Sequence, residues 1–164
     1  RVQHYGWKYD YKAKKVASDM RLGALPVPLM ELANNLYTDG YVKDIPDQVI
    51  INEYEPGQGI ASHTDCKPCF GDTIITISLG SGCVMEFTKE VGESSGNRKK
   101  PSMSKNKTPV WLLPRSLVAM TGDARWDWCH GIPQRKSDQW GGKRYKRSRR
   151  VSLTFRKVRL ESEG

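Results

Sequence analysis

The segment from Arg150 to Arg156 constrains the fold more than any other. Apolar Val151, Leu153 and Phe155 alternate there with polar Arg150, Ser152, Thr154 and Arg156, and in extended chain every second side chain falls on the same face. One face of this strand is therefore made for a core. The other is solvated in the simplest case. If it looks inward instead, two guanidinium groups meet an interior that tolerates them only beside carboxylates. A bound dicarboxylate meets that condition: Arg150 takes one end in a bidentate contact, and Arg156 neutralises the other end or braces a carboxylate of the protein.

Further strands are expected at Val49 to Tyr54, Thr73 to Leu79, Cys83 to Thr88, Val110 to Leu113, Ser116 to Thr121 and Trp126 to Cys129, the last strand continuing from Val151 to Val158. Pro28 to Asp39 reads as one amphipathic helix, with Leu29, Leu32, Ala33 and Leu36 as its stripe and Gly40 just past its end. Many short strands separated by turn residues imply a mainly β fold, a double-sheet jelly roll with a flanking N-terminal helix. The 164 residues, 37% of them hydrophobic, suit a single domain over 1–164 with a real core. The chain opens at Arg1, so that domain is expected to lack its extreme N-terminus. No apolar run approaches membrane-spanning length, and no secretory signal opens the chain. Two stretches are expected to be mobile: Lys89 to Pro109, a solvated insertion almost without apolar residues, and Gln134 to Arg149.

Candidate metal ligands lie outside the arginine strand. Val49 to Ile51 lead into Pro56, Gly57 and Gly59, whose turn delivers His63 and Asp65, two apart and so able to face one cation. A His-x-Asp pair alone is common on surface turns. His130, between Trp126, Trp128 and a Gly-Ile-Pro sequence, reads as a half-buried strand end; His4 reads as ordinary. Two histidines and one carboxylate can occupy one face of a ferrous ion and leave the opposite face open.

These residues together resemble the AlkB family of iron- and 2-oxoglutarate-dependent dioxygenases. The resemblance rests on Asn52-x-Tyr54-x-Pro56-Gly57, His63-x-Asp65, Ser78-Leu79-Gly80, Gly122-Asp123-Ala124-Arg125, His130-Gly131-Ile132 and Arg150-x-Ser152-Leu153-Thr154-Phe155-Arg156, in family order. It implies a double-stranded β-helix with Fe(II) on His63, Asp65 and His130. It also implies a 2-oxoglutarate site in which Arg150, helped by Tyr54, meets the distal carboxylate, with Asn52 and Arg156 near the proximal end. Ser152, also in the co-substrate strand, stands where the bacterial founder has asparagine. Dioxygen is the implied co-substrate. The opening Arg1-Val2-Gln3-His4-Tyr5-Gly6 and the run from Asn52 to Ile60 are similar to the branch whose animal members hydroxylate a modified uridine of transfer RNA.

A net charge of +9 and the run Lys143, Arg144, Lys146, Arg147 beside the co-substrate arginine point to nucleic acid as partner, RNA or single-stranded DNA. Tyr5, Trp7 and Tyr9 alternate near the N-terminus, either as a wall for an extruded base or as core residues. Trp126 and Trp128 are expected to pack beneath the iron. Cys66-Lys67-Pro68-Cys69 has the spacing of half a zinc knuckle, but its partner pair is absent. Free thiols, with Cys66 and Cys69 placed to oxidise in air, suit an intracellular, cytoplasmic ferrous enzyme, here expected as a monomer. The readings that compete with base hydroxylation are removal of N-methyl damage from DNA or RNA, a binding module without catalysis, and an oxygenase for a peptide or small molecule.

Overall fold

The alternation of the last strand places it in the middle of a sheet. The computed structural model describes residues 1–89 and 107–160. Its elements begin with β1 (Val2–Tyr5), α1 (Val27–Thr38), β2 (Gln48–Tyr54), β3 (Ile60–His63), β4 (Ile74–Gly80) and β5 (Cys83–Lys89). They continue with β6 (Lys107–Leu112), β7 (Ser116–Met120), α2 (Gly122–Trp126), β8 (Trp128–Ile132), β9 (Ser137–Trp140), β10 (Lys143–Lys146) and β11 (Arg150–Arg156). The larger sheet has the order β1-β2-β11-β4-β7 and the smaller β3-β8-β5-β6, while β9 and β10 form a separate hairpin. All the pairings are antiparallel.

Period-two patterning explains the layers. Val49, Ile75, Leu153 and Phe155 point from the larger sheet to Leu29, Ala33 and Leu36 of α1, making one core. A second core includes Ile74 of the larger sheet, with Met85, Phe87, Leu112 and Ile132 from the smaller one. The polar alternates of β11, Arg150, Ser152, Thr154 and Arg156, are all buried. They face a cavity between the sheets that His63, His130 and Met85 also line. The fold is the expected jelly roll with its flanking helix. Among the described residues no helix is long and apolar enough to cross a membrane.

Several local expectations change. The strand expected at Trp126 to Cys129 starts instead at Trp128, because Gly122–Trp126 closes into α2, where the Asp127 amide donates to the Asp123 carbonyl at 2.7 Å. His130 consequently lies within β8 and not at a strand end. Gln134 to Arg149 is no mobile loop: it folds into the β9–β10 hairpin around Gly141 and Gly142, at φ 54° and 75°, the pair of positive angles a two-residue hairpin turn demands. Lys89 closes β5 and Lys107 opens β6, while the rest of the expected insertion, 90–106, lies outside the described residues. Pro109 is accommodated because β6 is the edge of its sheet. Cys66 and Cys69 are not free thiols; they form a disulfide with Cα atoms 5.3 Å apart.

Candidate active site

Register brings the two histidines together. β3 and β8 pair so that His63 lies opposite His130, their ring centroids 4.5 Å apart. Gly131 permits this approach, since a Cβ there would stand 2.9 Å from the Ile60 carbonyl oxygen and from the Ser62 backbone. Asp65, just beyond the strand, completes the group: the ligand atoms of His63, Asp65 and His130 lie within 4.8 Å of one another. No other such cluster occurs among the described residues.

The protonation states suit a divalent metal. His63 Nδ1–H donates to the Ala61 carbonyl at 2.8 Å, which orients the ring and leaves Nε2 as the nitrogen available to a metal. Burial lowers the pKa of His130 to about 4, against the pull of Asp65, so the ring is neutral at physiological pH. Burial alone would raise Asp65, but Arg156 and the two histidines outweigh it and bring the carboxyl down to about 2. Arg156 donates through Nε at 2.8 Å and Nη2 at 2.5 Å to the same oxygen, Oδ1. The other oxygen, Oδ2, lies 3.4 Å from His130 Nε2. One carboxylate oxygen thus serves the guanidinium and one remains for a metal. Two imidazoles, that of His130 neutral, with an ionised carboxylate make a competent donor set for ferrous iron.

Two positioning residues had no role legible in the sequence, although Arg125 closes the Gly122-Asp123-Ala124-Arg125 motif. Buried Arg125, on α2, donates to the carbonyls of Asp65, Cys66, Phe70 and Gly71, gripping the loop that carries the carboxylate ligand. Its guanidinium stacks 4.2 Å from the Trp126 ring, so that tryptophan supports the site through Arg125, while Trp128 packs on the inter-sheet core. Gln48, fully buried, accepts from Arg156 Nη1 at 3.2 Å.

Arg150 differs from Arg156 in what it lacks. Its Nη2 donates to Ser78 Oγ at 2.8 Å, but Nε and Nη1 are buried without a hydrogen-bond partner in the protein. A buried guanidinium with open donors is expensive, and the natural partner is a carboxylate entering the cavity. The Tyr54 ring lies 5.4 Å from the Arg150 guanidinium. Burial raises the pKa of its hydroxyl, so Tyr54 remains a hydrogen-bond donor. Asn52 and Ser152 are paired across β2 and β11 and line the same cavity.

The expected nucleic-acid residues divide. Lys143, Arg144 and Lys146 are exposed on β10. Arg147 is not: its side chain is 6% exposed and forms an ion pair with fully buried Asp138, at 2.6 Å from Nε and 2.8 Å from Nη2, and donates to the Pro133 carbonyl. It anchors the hairpin and is unavailable for phosphate. Tyr5 packs on the helix-side core, and Trp7 and Tyr9 pack on the inter-sheet core, all three retaining partial exposure.

Comparison with known proteins agrees with this geometry. Residues 2–156 match the model of the 2OG-Fe(II) oxygenase superfamily. The chain is 39% identical to the Mus musculus tRNA (carboxymethyluridine(34)-5-O)-methyltransferase ALKBH8, over 97% of this chain and 24% of that protein. It is 36% identical to an Arabidopsis thaliana alkylated DNA repair protein ALKBH8 homolog, over 97% of this chain and 49% of the relative. The chain therefore spans about a quarter to a half of these relatives' lengths. The solved structure of OsALKBH1 superposes with a TM-score of 0.63 at 16% identity, covering 95% of this chain and 77% of that one, a likeness of fold. With an iron-competent His-Asp-His cluster and an open arginine on the inter-sheet cavity, the chain belongs to the 2OG-Fe(II) oxygenase superfamily, as an AlkB-like 2-oxoglutarate-dependent dioxygenase.

Proposed function

We propose that this chain oxidises a modified or alkylated base in nucleic acid, with RNA or single-stranded substrate preferred. The observation that carries the co-substrate assignment is the open pair of Arg150 donors, which fits the distal carboxylate of 2-oxoglutarate. When bound, ferrous iron and 2-oxoglutarate supply an oxidative decarboxylation that yields succinate and carbon dioxide and delivers one oxygen atom of dioxygen to a substrate carbon. His63, Asp65 and His130 hold the metal, and Arg156 keeps Asp65 ionised and oriented. Arg150 and Tyr54 fix the distal carboxylate, while Asn52 and Ser152 line the cavity. The site needs no residue from a second chain, so a monomer suffices for it, and the readily oxidised ferrous centre suits an intracellular setting.

Nucleic acid is supported by the +9 charge, by exposed Lys143, Arg144 and Lys146, and by relatives whose names refer to tRNA and to alkylated DNA. Partly exposed Tyr5, Trp7 and Tyr9 are available as a wall for an extruded base. A second reading, direct reversal of N-methylated DNA, is favoured by the repair function in the name of the Arabidopsis relative.

The test is anaerobic reconstitution with ferrous iron and 2-oxoglutarate, followed by air and either transfer RNA or methylated oligonucleotides. Succinate stimulated by RNA together with a nucleoside heavier by one oxygen supports hydroxylation. Loss of a methylene mass supports demethylation. Succinate that nucleic acid fails to stimulate overturns the substrate assignment and points to a peptide or small molecule.

A further inference from the structure

The carboxylate ligand is followed at once by the Cys66–Cys69 disulfide, and that bond abuts a cavity away from the inter-sheet site. The cavity, about 470 Å³, is lined by Pro68 and Cys69 and by Lys14, Lys15, Ser18 and Arg159. Arg159 also pairs with Asp72 at 2.9 Å, so the cationic excess rests chiefly on exposed Lys14 and Lys15. Lys14 holds a left-handed backbone at φ 50°, and its carbonyl oxygen lies 3.2 Å from Cys66 Sγ and 3.4 Å from Cys69 Sγ. Disulfide sulfurs have no hydrogen to donate. Two thiols would have two, and the same carbonyl is already positioned to accept them. Arg125 meanwhile grips the carbonyls of Asp65, Cys66 and Phe70, so the backbone of the loop is held whether the bond is closed or open.

We propose that Cys66–Cys69 is a thiol–disulfide exchange site served by an anionic low-molecular-weight thiol, one bearing carboxylates, docked in this cationic cavity. The incoming thiolate attacks Cys69, the cysteine that lines the cavity, and the S–S bond breaks with Cys66 leaving as thiolate. A second thiolate attacks the mixed disulfide, releases Cys69 and leaves as the oxidised small-molecule disulfide. Two electrons pass from two small thiols to the protein, and their two protons end on Cys66 and Cys69.

The experiment follows reduction of the air-oxidised full chain by acid quench, alkylation and mass, using glutathione as the anionic thiol and cysteamine as a cationic one. Each rate is divided by that of the same thiol on hydroxyethyl disulfide, which removes intrinsic reactivity. The expected normalised preference for glutathione is about tenfold, and it collapses in about 0.5 M salt. It is also lost in Lys14→Glu/Lys15→Glu, whose exposed positions leave the fold intact, as circular dichroism checks. A wild-type preference of one, a preference unchanged in the double variant, or oxidised protein without the disulfide mass would overturn the proposal.

Discussion

Replacing Arg150 with methionine should move cofactor binding and stability in opposite directions. This arginine is 4% exposed, and within the protein only Nη2 donates, to Ser78, while Nε and Nη1 find no protein acceptor. Each unsatisfied buried donor costs about 1–3 kcal/mol, whereas the hydrogen bond to Ser78 and the contact with the Tyr54 ring together return about 2 kcal/mol. Methionine fills much of the volume without those donors, so the metal-free variant should unfold at the same temperature as the parent or a few degrees higher. The 2-oxoglutarate complex reverses the balance. Two charge-assisted hydrogen bonds to a carboxylate are worth roughly 3–4 kcal/mol together, so the apparent Kd for 2-oxoglutarate should rise on the order of 10²–10³-fold. Thermal unfolding without metal reads the first quantity, and the same assay with Mn(II) across a 2-oxoglutarate titration reads the second. A metal-free variant destabilised by more than about 2 kcal/mol, or one whose midpoint still climbs at wild-type 2-oxoglutarate concentrations, would refute the argument that the open donors await a carboxylate.

Asp65→Ala should abolish metal binding, read by calorimetry with Mn(II), and also cost about 3 kcal/mol in urea unfolding, because Arg156 is left as a buried cation without its carboxylate. Unaltered metal affinity would remove Asp65 from the ligand set. Neutralising Lys143, Arg144 and Lys146 together should lower the slope of log K against log salt for single-stranded RNA by about 2 while leaving stability alone; Arg147→Ala should do the reverse, costing about 3 kcal/mol through buried Asp138. Equal effects of the two variants on RNA binding would contradict the division. The metal-free protein should lose about 3 kcal/mol as pH falls from 6.5 to 4, because His130 has a folded pKa of about 4, so the unfolded chain takes up its proton first. That loss, measured by urea unfolding, should flatten below pH 4 as far as His130 is concerned and shrink in His130→Gln; an undiminished slope in the variant would exclude His130 as its source.

What was legible in the sequence was whatever one strand or one spacing could express. The alternation in β11 told which side chains share a face, and the stripe of Leu29, Ala33 and Leu36 told which side of α1 is buried. Illegible features were those decided by distant partners. The aromatic residues around Asp127 favour a strand locally, yet Arg125 must reach four carbonyls of the loop after Asp65, and it does so from α2. Lys143, Arg144, Lys146 and Arg147 look alike in sequence. Only the contact with Asp138 separates the anchor from the three exposed cations, and the signal available beforehand was an isolated aspartate between Arg135 and Arg147. The hairpin hid in polar composition although Gly141-Gly142 was its turn signature.

The two arginines of β11 resolve the cost of burying cations on one strand face. They stand six residues apart, about 20 Å along an extended chain, whereas 2-oxoglutarate spans roughly 6 Å at C–C bonds near 1.5 Å. Both cannot easily clamp the same dicarboxylate, and the hydrogen bonds assign them separate tasks. Arg156 spends Nε and Nη2 on Asp65 Oδ1 and Nη1 on Gln48, so its charge is matched within the protein. Asp65 Oδ2, turned towards His130, passes the next position to a metal cation. A dicarboxylate held beside that cation would bring negative charge to Arg150, the one terminus of the series with open donors. Cation, anion, cation, anion and cation alternate from Arg156 to Arg150, and each buried charge neighbours its opposite only when both metal and co-substrate are present. Affinity for the two is therefore expected to be mutually reinforcing, since each supplies the counter-charge that the other's site lacks.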